Sequence, residues 1–101
     1  MITITHKSGC ITVSGHAGYA PHGQDIVCAA VSTLVQGFVA SVEKLTTDNL
    51  SVDMAAGKAA IQYGNLSERA QVLLDSFFVG IQMIADEYPD HVRIVQAWKT
   101  E

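Results

Sequence analysis

Cysteine, proline, tryptophan and basic side chains are all scarce in this 101-residue chain, which has two Cys, two Pro, one Trp and six Lys plus Arg. Each shortage excludes something. Cys10 and Cys28 are too few for the disulfide framework of a small secreted domain, and in a cytoplasmic chain such thiols stay reduced. No C-x-x-C or H-x-x-x-H pairing occurs, so a zinc site is not expected. Six basic residues against ten acidic ones, with no basic cluster, argue against a partner bound through nucleic-acid phosphates. No basic-then-apolar leader opens the chain, and no apolar run is expected to be long enough to span a bilayer. A cytoplasmic protein without a membrane partner is the expectation.

Apolar residues, by contrast, are plentiful at 49 % of the chain, much for one small domain covering residues 1–101. A small globule cannot hide all of that surface, so part of it is expected to meet a second copy, making a homodimer. Ile2 and Ile4, then Ile11 and Val13, alternate around the turn signal Lys7-Ser8-Gly9, the pattern of a β-hairpin. Val52 and Met54, then Ala59, Ile61 and Tyr63, repeat the pattern around Ala55-Ala56-Gly57-Lys58. A helix is expected from Asp25, as N-cap, to about Lys44. No charged residue lies between Ile26 and Val42, which predicts burial on more than one side, against the sheet and against a partner subunit. A second helix, amphipathic through Leu74, Phe77 and Ile81, is expected to begin at a capping box of Asn65 and Glu68 and to stop at Pro89-Asp90. Val92 and Ile94 suit a last short strand, with Trp98 to Glu101 as a tail. The order ββα-ββα-β predicts a two-layer α+β fold with helices on a mainly antiparallel sheet, its strand order open.

The chemistry concentrates between the hairpin and the first helix, in GHAGYAPHGQDIVCAAVS, residues 15–32. Cys28 falls in the first helical turn, where the positive end of the helix dipole favours a thiolate. His16, at the end of the preceding strand, can move its proton. The structural alternative for each is ordinary: a small buried cysteine and a surface histidine. Asp25 either caps the helix or orients His16, and it cannot easily do both. Ser32 lies one turn beyond Cys28 and can bond the thiolate, a substrate or the carbonyl behind it. Gly18, Tyr19, Ala20, Pro21, His22, Gly23 and Gln24 form a loop expected to be a mobile lid, with Tyr19 either lining a groove or exposed. His22 is a rival base, less preorganised than His16. His6 and His91 read as strand-surface residues, Cys10 as inert, and Phe77, Phe78 and Tyr88 as core or interface.

Gly15-His16 followed by D-I-V-C-A-A-V-S from Asp25 resembles the ribosomal-processing cysteine protease family Prp, and the likeness runs along most of the chain. It implies a cytoplasmic homodimer that removes a short N-terminal extension from the precursor of a large-subunit ribosomal protein, cutting after phenylalanine. It implies Cys28 as nucleophile and His16 as general base and acid, with Gly15, Asp25 and Ser32 in support, the loop ordering over the peptide, and no metal or cofactor. Helix-start amides would serve the oxyanion. Two other functions compete: a non-catalytic dimeric ribosome-assembly module, and a redox sensor pairing Cys28 with Cys10.

Overall fold

A computed structural model describes residues 1–95; the expected Trp98–Glu101 tail lies outside them. The elements are β1 (Ile2–Lys7), β2 (Cys10–Ser14), α1 (Ile26–Leu45), β3 (Ser51–Ala55), β4 (Lys58–Gln62), α2 (Glu68–Glu87) and β5 (Val92–Val95). They make one five-stranded sheet in the order β3-β4-β2-β1-β5. Every pairing is antiparallel except that of β1 with β5. The expected α+β architecture is what the chain adopts.

Register sorts the side chains. Ile4 stands opposite Val13 and Ile94, and Ile11 opposite Ile61, which in turn faces Val52. Successive residues of a strand point to opposite faces, so these apolar residues share one face. Thr3, Thr5, Cys10, Thr12 and Ser14 occupy the other. The helices cover the apolar face. α1 buries Val27, Val31, Val35, Phe38 and Val42, and α2 buries Ala70, Leu74, Phe77 and Ile81. Both stripes follow the i, i+3/i+4 spacing of one helical face. The cover stops short of β3, whose five residues are all exposed, including the apolar-face Val52 and Met54.

Several expectations need correction. α1 is long and apolar enough, by length and composition alone, to cross a membrane; here one stripe of it is core. Its other sides leave Ile26, Ser32, Thr33 and Gln36 exposed in the single chain, the faces for which contact with a partner subunit is expected. α2 is capped by Ser67, whose side chain accepts from the Ala70 amide, and not by Asn65. The Asp48 carboxylate, accepting from the Ser67 amide at 2.7 Å, sets that start from across the fold. His6 is not on the surface. It shares the inner face with Ile2 and Ile4, stacks on Phe78 at 4.7 Å and meets the Tyr63 hydroxyl at 2.6 Å. Burial lowers its pKa and raises that of Tyr63. His91 lies in the turn before β5, half-buried.

Candidate active site

The site forms where β2 ends, α1 begins and the β3–β4 turn comes alongside. Gly15 leaves β2 with φ +95°, and a Cβ there would lie 2.3 Å from the Met1 carbonyl oxygen, so only glycine fits. The Met1 ammonium in turn donates to the His16 carbonyl. The Gly15 amide donates to the Gly57 carbonyl at 2.9 Å. That bond brings the β3–β4 turn under His16. Gly57 has φ +73°, and a Cβ there would lie 2.9 Å from His16 Nε2. The imidazole thus rests on bare backbone. The turn was legible in the sequence; this second use of its glycine, as the seat of His16, was not.

Across the loop, Asp25 caps α1. One carboxylate oxygen accepts from the Val27 and Cys28 amides at 2.9 and 3.0 Å. The other accepts from Tyr19 at 3.0 Å and Ala20 at 3.4 Å. The Cys28 amide is the chief cause holding its carboxyl below the ordinary carboxylate range, with the Tyr19, Ala20 and Val27 amides adding to it. The choice between cap and His16 orienter is therefore decided in favour of the cap, which also fastens the start of the loop. It alters one expectation as well. The Val27 and Cys28 amides are engaged by a carboxylate, so they do not stand open for an oxyanion.

Cys28 lies at the third position of α1, half-buried, and its Sγ accepts the Ala17 N–H at 3.3 Å. Cys28, His16 and His22 all line two adjoining cavities of about 310 and 480 Å³. The structure therefore brings both candidate bases into the cavities that the thiol lines. His16 is seated on Gly57, whereas His22 hangs on the exposed part of the loop. The first cavity is a groove between α1 and the β3–β4 hairpin, with Val35, Ser32 and Gln36 on one wall and Met54, Ala55 and Lys58 on the other. Ser32 is exposed there, one turn beyond Cys28. Within the loop, Gly18 and Gly23 have positive φ with open space around them, and the Gln24 amide donates to the Pro21 carbonyl. Tyr19 is not loose. Its ring meets Tyr88 and His91 edge-on, each at 5.4 Å.

Cys10 sits on the sheet face away from the helices, half-buried beside Thr12. The sheet thus separates it from Cys28. Among the described residues, no group of three or more His, Cys, Asp or Glu is placed to hold a metal. A larger cavity, of about 740 Å³, opens at the opposite strand ends beside His6 and Tyr63 and contains no thiol.

What this arrangement can do is attack a carbonyl with sulfur, with an imidazole at hand and an open groove for an extended chain. Known proteins agree with that chemistry. The family described as cysteine protease Prp matches residues 1–93. The ribosomal processing cysteine protease Prp of Mycoplasma genitalium is 35 % identical over 93 % of this chain and 94 % of its own. That of Bacillus subtilis is 28 % identical over 89 % and 88 %. Among solved structures, the S. aureus ribosomal processing protease Prp with a covalently linked product peptide superposes with a TM-score of 0.89, at 27 % identity, over 95 % of this chain and 99 % of that one. The chain belongs to the cysteine protease Prp family.

Proposed function

We propose that this protease removes the N-terminal extension of a large-subunit ribosomal protein precursor, with Cys28 as nucleophile and His16 as general base and acid. The observation that carries the reading is the position of Cys28, in the first turn of α1 with a backbone N–H on its sulfur, in a cavity it shares with His16. His16 takes the thiol proton and the thiolate attacks the scissile carbonyl. The C–N bond breaks as His16 returns that proton to the leaving amine. His16 then deprotonates a water, which cleaves the thioester and restores the thiol. With the Val27 and Cys28 amides occupied by Asp25, Ala17 N–H is a backbone donor at the sulfur that the cap does not engage. The groove between α1 and the β3–β4 hairpin takes the peptide. Residues 18–24 close over it, hinged on the fixed Tyr19 and carrying the exposed His22. The enzyme works as a cytoplasmic homodimer, the uncharged Ile26–Val42 stretch of α1 supplying contact area.

The S. aureus relative was solved both with a substrate peptide and with a covalently linked product peptide, which supports peptide chemistry at a fold of this kind. A redox pairing of Cys28 with Cys10 within one chain is disfavoured, since the two lie on opposite sides of the sheet. The test is incubation with the ribosomal-protein precursor and mass spectrometry of the products. One cut after phenylalanine is expected, lost in Cys28→Ala and retained in Cys10→Ser. Undiminished cleavage by Cys28→Ala overturns the assignment. Sedimentation at micromolar concentration is expected to give a dimer.

A further inference from the structure

We infer that His91, in the turn between α2 and β5, is a positioning residue that holds the Ala17 N–H on the Cys28 sulfur. The inference rests on the reading of Cys28 as nucleophile and adds a group remote from it in sequence. His91 Nδ1 lies 2.9 Å from the Ala17 carbonyl oxygen. A carbonyl can only accept, so Nδ1 carries the hydrogen and donates. The same residue, Ala17, donates its own N–H to Cys28 Sγ at 3.3 Å and is 2 % exposed. One buried residue is therefore pinned on both sides of its Cα, by an imidazole at its carbonyl and by sulfur at its amide. His91 is itself held: its carbonyl accepts from the Ile2 amide at 2.8 Å and its own amide donates to the Tyr88 carbonyl at 2.9 Å. Its ring meets Tyr19 at 5.4 Å, edge-on.

An N–H aimed at sulfur favours the thiolate over the thiol, because the anion is the stronger acceptor. Without the His91 bond, Ala17 is free to turn its N–H away, and the neutral thiol gains. The other titratable groups facing Cys28 are His16, His22 and Asp25 in its cavity and Lys58 across the groove. The titratable ring facing His91 is that of Tyr19, behind which lies Tyr88.

The experiment uses Cys10→Ser protein, in which Cys28 is the sole thiol, and reads iodoacetamide alkylation as a function of pH. His91→Phe keeps a ring for Tyr19 and removes the donor. It is expected to slow alkylation at pH 7 about fivefold to tenfold, to move the alkylation midpoint to higher pH, and to lower kcat with KM within twofold. His91→Asn returns a donor near the Nδ1 position and is expected to restore at least half of the lost rate. An alkylation profile for His91→Phe that matches the parent overturns the inference, whether or not the parent cleaves peptide; retained cleavage by Cys28→Ala overturns the nucleophile reading instead. Should His91→Phe fail to fold, the Ala17 amide proton resonance of the parent decides: it must move with the titration of Cys28, and a resonance that does not respond overturns the inference.

Discussion

Replacing Gly57 by alanine tests the site at the His16 imidazole. The added Cβ has two effects that the structure separates. Gly57 has φ +73°, a conformation that costs an L-residue about 1 kcal/mol. For a domain of this size that lowers the melting temperature by about 4–8 °C. The Cβ would also stand 2.9 Å from His16 Nε2. Ordinary van der Waals contact between such atoms begins nearer 3.4 Å, so the ring must retreat by roughly half an ångström. A misplacement approaching 1 Å costs up to about 10²-fold in rate. A fall in kcat of about tenfold to a hundredfold is therefore expected, with KM little changed because the groove walls stay. The assay is steady-state cleavage of a peptide spanning the scissile bond, beside a thermal melt. Gly9→Ala is the control. It has φ +80° and a Cβ contact of 3.1 Å with the Tyr63 carbonyl, in the other hairpin. It should melt lower and keep its kcat. A Gly57→Ala enzyme that melts lower while cleaving within threefold of the parent would refute the claim that this glycine seats His16.

Asp25→Ala removes the acceptor for four amides at once, at Val27, Cys28, Tyr19 and Ala20, so a lower melting temperature and a higher KM are expected together; an unchanged KM would mean that the loop does not need this fastening. Because the folded state favours the Asp25 carboxylate, its stabilisation is complete above the ordinary carboxylate range and is lost as pH falls through its lowered pKa, so Asp25→Asn should flatten the acid limb of a stability–pH profile. His6 acts nearer neutrality. Burial disfavours its charged form, so the melting temperature should begin to fall as pH drops below about 6.5, and His6→Phe should remove that part of the slope.

The two hairpins were legible because each joins strict alternation to a glycine able to take positive φ, Gly9 in one and Gly57 in the other. The start of α1 was legible because Asp25 is a strong cap directly ahead of an apolar run. Strand order was not: nothing local in Val92 or Ile94 says that they will lie beside Ile2 and Ile4 in parallel. The start of α2 was misplaced because Asn65 and Ser67 are both good caps, and the choice rests on Asp48, far off in sequence. His6 was misread against its own pattern. Alternation put it with Ile2 and Ile4, and the reading followed residue type instead. At the site, the pairing of Cys28 with His16 came from a short stretch of chain. The contributions of Gly57, Ala17 and His91 came from contacts across the fold, which spacing along a chain does not record.

The parallel pairing of β1 with β5 has a consequence for when the enzyme exists. Ile2 pairs with Val92, across both hairpins and both helices, so the first strand finds this neighbour only when the segment after α2 has folded onto it. The His91 turn that grips Ala17 arrives only then. Contacts of such long sequence separation close last and slowly. A chain can form both hairpins and α1 and still lack the His91 contact with Ala17, so the surroundings of the thiol are completed by the last pairing of the sheet and not by the hairpin and helix that carry it.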